Sequence, residues 1–240
     1  TSRRLGSSLG VNILPSKGKL CNFDCIYCEC GWNKDGISDG KFPALEQVRQ
    51  ALEKKIVRLA EGGIPVDSIT FSGNGEPTIH PDFASIIDMT LSLRDRYYPD
   101  AKVSVLSNAT MVWRDEVFEA LSKVDNPIMK IDAGDVALIE KINRPVGKYR
   151  LDGVVESLKR FQGRFVLQTM FLKSDVFSAY TEASLDRWRD IVRELKPREV
   201  MVYTIDRETP DGTLSKCTAD EMEEFVRPLV DEGFTVQIRG

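Results

Sequence analysis

Cys21-Asn22-Phe23-Asp24-Cys25-Ile26-Tyr27-Cys28 sets three thiols within eight residues. It follows Gly10-Val11-Asn12-Ile13-Leu14, a branched apolar run stopped by Pro15 that reads as a first strand. A loop wrapped tightly enough to gather three cysteines points their sulfurs at one shared centre, most economically a metal. Iron–sulfur clusters are held by cysteine thiolates, and three ligands on a four-iron cubane leave one iron open for chemistry. A closed zinc site needs a fourth ligand, which Cys30 offers two residues further on. Spacing alone leaves both metals open.

Working outward, residues 42–60 carry Leu45, Val48, Leu52, Ile56 and Leu59 at helical spacing, and Gly62-Gly63 ends the pattern. Strand-like runs recur at 67–71, 102–106, 128–131, 164–171 and 199–204, with 234–238 as a candidate seventh. Helical patterns separate them at 81–97, 114–124, 151–161, 182–195 and 218–232. Such alternation predicts parallel strands joined by right-handed crossovers, with helices on the sheet. At 240 residues the chain is short for an eightfold barrel, so the expectation is an α/β fold, an open, partial (β/α)6 TIM-type barrel in a single domain spanning residues 1–240. Ligands of such folds sit at the carboxyl ends of the strands. The cysteines follow strand one there, and Ser72-Gly73-Asn74-Gly75-Glu76-Pro77 follows strand two.

Hydrophobic residues make up 42% of the chain and charged ones 29%, the balance of an ordinary globular protein. No apolar run approaches the ~20 residues needed to span a bilayer. No membrane association and a cytoplasmic location are therefore expected, and the Thr1-Ser2-Arg3-Arg4 start lacks an apolar secretory region. Five cysteines, three of them crowded together, do not form a disulfide framework. A net charge of −4 argues against broad electrostatic capture of nucleic acid, although a local basic face survives such an average.

The Cys-x3-Cys-x-Tyr-Cys pattern of residues 21–28, followed after the second strand by Gly73-Asn74-Gly75-Glu76-Pro77, resembles the radical S-adenosylmethionine (radical SAM) superfamily. Tyr27 takes the aromatic position of that signature, and Asn74 replaces the second glycine of its commonest form. The resemblance implies an enzyme in which Cys21, Cys25 and Cys28 ligate a [4Fe-4S] cluster, with SAM on the fourth iron. It implies that one electron from an external reductant of flavodoxin or ferredoxin type cleaves SAM, so that a substrate hydrogen is abstracted. Gly73 and Gly75 would then allow close approach of the methionine moiety, Glu76 would pair with its ammonium group, and Tyr27 would line the adenine pocket. The bland readings are a strand-capping turn, a solvated carboxylate and a packing aromatic.

Lys130-Ile131-Asp132-Ala133 and Lys141-Ile142-Asn143-Arg144-Pro145 bring the likeness nearest to the core of the wybutosine-synthesising tRNA enzymes and their small bacterial relatives. Those enzymes carry a second cluster on cysteines near the N-terminus and a substrate-reacting lysine. No cysteine precedes Cys21, so their reaction is not carried over. The expected substrate is a nucleoside or RNA, with a peptide or partner protein as the alternative and a zinc-stabilised binding module as a non-enzymatic third reading.

Weaker candidates are the polar residues at strand ends. Asn108, Asp132 and Gln168 are candidate cofactor contacts, Asp132 and Gln168 for the ribose hydroxyls, against a barrel mouth of internal polar pairs. Cys30 is expected to be a small buried residue or a hydrogen-atom donor, and Cys217 an exposed inert thiol. His80 is expected to contact a helix N-terminus, and Arg207 to clamp an anion or to pair with Asp206 or Glu208. Lys54-Lys55 and the Arg94/Arg96 pair read as solvent-facing. The substrate is expected to be set by residues 32–40 and 206–214.

Overall fold

Ser68-Ile69-Thr70-Phe71 is buried at all four positions, as a parallel strand covered on both faces must be. The computed structural model describes residues 7–35, 40–177 and 180–239. Along it run β1 (Ser8–Val11), α1 (Leu45–Glu61), β2 (Ser68–Phe71), α2 (Phe83–Tyr97), β3 (Lys102–Ser107), α3 (Asp115–Lys123) and β4 (Asn126–Lys130). Then come α4 (Val136–Ile142), α5 (Leu151–Lys159), β5 (Val166–Met170), β6 (Leu172–Ser174) and α6 (Glu182–Leu195). The order ends with β7 (Glu199–Tyr203), β8 (Leu214–Lys216), α7 (Ala219–Asp231) and β9 (Val236–Arg239).

Seven strands pair in parallel in the order β1-β2-β3-β4-β5-β7-β9. Each strand is laid beside the one before it, and β1 and β9 remain as edges, so this is the open, partial barrel that the alternation predicts. Its outer layer packs Ile69, Phe71, Val103, Val105, Val200 and Val202 against helix faces such as Val48, Leu52 and Ile56 of α1. The inner face follows the period of two. On one half it is polar, with Ser68 and Thr70 hydroxyl-bonded to each other, and to Ser104 and Ser8. On the other half it is apolar, with Ile128, Val166 and Met201 packed beneath Leu106.

Several expectations shift. The first strand ends at Val11, and Ile13 and Leu14 are buried beyond it as the start of the cysteine loop. The long run 164–171 contains β5, after which the chain leaves the barrel: β6 pairs antiparallel with β8. The apolar run Met170-Phe171-Leu172 carries straight on from β5 into β6, so nothing local marks that exit. Helix α4 is only seven residues long, too short for its periodicity to stand out. The candidate seventh strand is real and closes the sheet order.

Gly134, between β4 and α4, lies against the backbone of α6, where a Cβ would overlap the Trp188 nitrogen and the Arg187 carbonyl carbon. Backbone cannot step aside as a flexible side chain does. Gly134→Ala is expected to destabilise the fold by about 1–3 kcal/mol, read as a lowered thermal midpoint, whereas Gly212→Ala, where a Cβ meets nothing, changes stability by no more than about 0.5 kcal/mol.

Candidate active site

The cysteine loop is built around buried Lys19, whose ammonium donates to Asp24 Oδ1 at 3.1 Å and to the Gly31 carbonyl at 3.0 Å. Asn33 ties the same turn, its backbone N–H donating to Asp24 Oδ1 at 2.8 Å and its side chain to the Cys21 and Phe23 carbonyls. Two other segments clamp the loop through backbone. On one side Leu20 N–H donates to Asn74 O at 2.9 Å and Glu76 N–H to Leu20 O at 3.1 Å. On the other, Asp24 and Ile26 donate to Asn143 and Ile142 carbonyls, and Val146 donates to Asn22.

Gly73 and Gly75 therefore answer first to the chain itself. A Cβ on Gly75 would overlap the Leu20 carbonyl, and one on Gly73 would overlap the Asn12 side chain. Asn74 spends its amide on the Pro15 and Gly18 carbonyls, and it does not line the cavity described next.

Cys21, Cys25 and Cys28 line one cavity of about 210 Å³. Its floor is made by residues of four strands that are neighbours in the sheet, Leu106, Lys130, Gln168 and Tyr203, and its walls include Gly73, Gly75, Glu76 and Asn108. Cys30 stands outside it, exposed, with its thiol 3.7 Å from the Gly73 carbonyl, so it is not the buried residue expected. Cys217 reverses the other way: it is 2% exposed, packed into the main core directly after β8 with its N–H on Thr204.

The cavity suits a cluster of sulfur and iron. Among the described residues no three His, Cys, Asp or Glu side chains converge closely enough for a single metal ion. The three thiols instead face a common space, and donors are aimed at them: Phe23 N–H at Cys21 Sγ, 3.4 Å, and the Asn143 amide at Cys25 Sγ, 3.4 Å. The Cys30 thiol donates to Cys28 and, against burial and with help from Lys19, draws it down to about 5. Burial, reinforced by the Glu76 carboxylate, pushes Cys21 up to about 12; burial also raises Cys25, although Lys130 opposes it. Thiols so confined are favoured as anions once positive iron is among them.

Glu76 is 2% exposed and accepts four hydrogen bonds from the chain. Oε1 takes Thr78 N–H (3.1 Å), Thr78 Oγ1 (2.5 Å) and Ser107 Oγ (2.9 Å), and Oε2 takes Asn108 N–H (2.7 Å). Burial raises its pKa while these donors pull it back. It thus joins the end of β2 to the end of β3. Asn108 carries the chain of contacts onward, donating to Asn22 Oδ1 at 2.6 Å with Cys21 Sγ 3.9 Å away.

Asp132 does not reach the cavity. Its carboxylate is 1% exposed and accepts the Tyr27 hydroxyl, the Asn143 amide (2.6 Å) and Met170 N–H (2.8 Å), so the ribose contact expected of it falls to other groups. Tyr27 does line the cavity, with its hydroxyl turned into this network. Lys130 bridges the two regions, donating to Tyr27 Oη at 2.9 Å and Tyr203 Oη at 2.8 Å. Burial works against its charge, yet Tyr203, Asp132 and Cys25 together raise its pKa. Gln168 lines the floor beside Met201 Sδ.

Lys19, Asn143 and Tyr203 are site residues that sequence reasoning did not single out. Tyr203 was recoverable as the inward residue ending β7, and Asn143 lies in the 141–145 stretch that carries the likeness, whereas Lys19 acts through long-range contacts with no local signal. Arg207 pairs with Glu29 at 2.7 Å, rather than with its chain neighbours. Arg94 is half-buried between Asp95 and Asp125, Lys54 and Lys55 are exposed, and His80 accepts Asp82 N–H at the start of α2. Residues 36–39 of the expected substrate loop lie outside the described residues.

The family model for the Radical SAM superfamily matches residues 16–175, two thirds of the chain, which hold the cysteine loop, the glycine loop and β2–β6. This chain belongs to the radical SAM superfamily. A radical SAM protein takes the superfamily's cofactors, a [4Fe-4S] cluster and S-adenosylmethionine. A UPF0026 protein of Methanocaldococcus jannaschii is 32% identical over 209 residues, covering 85% of this chain and 61% of that relative, so the chain spans less than two thirds of the relative's length. The crystal structure of Streptococcus suis SuiB bound to precursor peptide SuiA covers 97% of this radical SAM chain and 49% of its own, with a TM-score of 0.70 at 18% identity. A radical SAM methyltransferase from Sphaerobacter thermophilus matches at TM-score 0.71 and 14% identity, over 97% of this chain and 65% of its own. At these identities the structures show a shared fold. No helix among the described residues is long and apolar enough to cross a membrane.

Two substitutions separate the scaffold from the ligands. Each Glu76 oxygen takes a backbone N–H, so Glu76→Gln sets its N–H₂ against one of them in either orientation, and about 1–3 kcal/mol of stability should be lost in denaturant titration even without cofactors. Gly75→Ala must displace Leu20, and the expected result is reduced iron uptake on anaerobic reconstitution with the far-UV circular dichroism spectrum retained.

Proposed function

We propose that this chain is an enzyme that uses one [4Fe-4S] cluster on Cys21, Cys25 and Cys28 to cleave SAM reductively and abstract a hydrogen atom from a substrate. The observation carrying this reading is the single cavity that the three thiols share with Gly73, Gly75, Glu76, Asn108 and Gln168. Held by Cys21, Cys25 and Cys28, the cluster together with SAM would supply the one-electron chemistry of sulfonium cleavage and hydrogen abstraction.

The chain's own residues bind and aim. The exposed edge at Ser72-Gly73 offers backbone to the methionine end, and Glu76 fixes that edge to β3 while turning its carboxylate toward the cavity wall. Lys130, Gln168 and Tyr203 form part of the floor, where Lys130 presents positive charge to a carboxylate or hydroxyl and Gln168 presents an amide to ribose. Holding partners in place this way replaces the entropy of random encounter, which is the main contribution a protein makes to a cofactor-driven step.

For the substrate, the likeness of residues 130–133 and 141–145 to the tRNA enzymes supports a nucleoside or RNA. The second reading, a peptide, rests on the fold shared with SuiB, which is bound to its precursor peptide. Anaerobic incubation with SAM, reductant and separate RNA and peptide pools, followed by mass spectrometry, distinguishes them: the modified pool carries the mass change and the other does not.

Alanine at Cys21, Cys25 or Cys28 should reduce iron to background and abolish 5′-deoxyadenosine formation, while Cys30→Ala and Cys217→Ala keep about four irons per chain. If Cys30→Ala lost iron as fully as Cys25→Ala, the three-cysteine assignment would give way to a four-cysteine site. Stoichiometric zinc in protein purified without oxygen would favour the binding module.

A further inference from the structure

The far side of the cysteine loop carries a second cavity, of about 420 Å³, open to the surface. Phe23 lines both this groove and the thiol cavity, so one aromatic side chain forms the wall between them. Beyond Phe23, its ring meets Tyr149 edge-on at 5.6 Å, and the groove then reaches Trp113 and Val146, which are 66% and 69% exposed. The rim is Arg144-Pro145-Val146-Gly147-Lys148-Tyr149-Arg150, three exposed cations in seven residues with no acid among them, on a chain whose net charge is −4. Arg150 shares its charge with Asp152, and Arg144, lying 4.7 Å over the Trp32 ring, acts on the Asp211 carboxylate, while Lys148 stands exposed between them.

This rim is joined to the cysteine loop through backbone. Val146 N–H donates to Asn22 O at 2.8 Å, next to Cys21, and Asp24 N–H donates to Arg144 O at 3.1 Å, next to Cys25. The surface is thus one hydrogen bond from the residues flanking two of the three thiols. Phe23 separates it from the cavity in which SAM would lie.

We infer that this groove is the docking face for an acidic one-electron donor protein, of flavin or iron–sulfur type, which delivers its electron to the cluster through the Phe23 and Asn22 wall. The inference rests on the cluster assignment proposed above. In the step the donor is oxidised by one electron and the cluster reduced by one; no bond or proton changes hands at this face. The basic rim attracts the acidic partner, exposed Trp113 and Val146 give it an apolar seat, and a closed wall keeps the donor apart from the radical chemistry. Nucleic acid is the less suitable occupant, because a strand held here faces the wrong side of the wall from the thiols.

The test compares the anaerobically reconstituted full chain with the Lys148→Glu/Arg150→Glu double variant and with Trp113→Ser. Iron content and dithionite reduction followed by electron paramagnetic resonance come first and should be unchanged in both variants. Reduction of the cluster by a flavodoxin hydroquinone, followed by stopped flow, should then slow by roughly tenfold or more in the charge-reversed variant, and the wild-type rate should fall as salt rises. Trp113→Ser should raise the flavodoxin concentration needed for half-maximal rate. Equal flavodoxin rates in wild type and both variants would overturn the inference while leaving the cluster intact. Loss of affinity for a labelled RNA with donor rates unchanged would overturn it in favour of a nucleic-acid face. Absence of any dithionite-reducible cluster would instead remove the assignment on which it rests.

Discussion

Leu20 is held between two backbone hydrogen bonds, one given to the Asn74 carbonyl and one received from Glu76 N–H. That pair joins the segment entering the cysteine loop to the segment leaving β2, and the other site contacts depend on it. Glu76, fixed by its own N–H, reaches Ser107 and Asn108 at the end of β3, and Asn108 returns to Asn22 inside the cysteine loop. Three consecutive strand ends are thereby closed into a ring of hydrogen bonds around the thiols. The geometry admits no side chain at position 75, which makes the glycine a requirement of assembly before any ligand arrives.

Much of the fold was legible because its signals are local. Parallel strands buried on both faces read as short apolar runs, and amphipathic helices read as 3.6-residue periodicity, so the alternation and the strand order followed from the chain. What escaped was short or continuous with its neighbour: α4 has two turns, and β6 prolongs the apolar pattern of β5 while changing partners. Strand pairing is a long-range choice, and the antiparallel pairing of β6 with β8 spans some forty residues without a turn signal of its own.

The site was legible in its composition and less so in its connections. The three cysteines, Gly73, Gly75, Glu76, Asn108, Gln168 and Tyr27 all meet at one cavity, as strand-end topology leads one to expect. Their partners could not be read. Asp132 looked like a ligand-facing carboxylate because it follows β4, yet β4 ends at Lys130, and residue 132 turns away to accept Tyr27 and Asn143. Exposure of isolated cysteines was equally opaque: Cys30 lies at the rim of a loop and Cys217 in the main core, neither of which the flanking residues announce.

A sheet laid down in chain order has a consequence for synthesis. The thiols at positions 21–28 leave the ribosome early, but the carbonyls and amides that clamp their loop belong to residues 74–76 and 142–146. At ~5–20 residues per second the last of these follows Cys21 by about 10 s. Throughout that interval the nascent loop carries three thiols without the backbone partners that clamp it. The fold therefore places the maturation of its cofactor late, after α4 has emerged, and makes the oxygen tension and metal supply around the nascent chain part of what determines the yield of active protein.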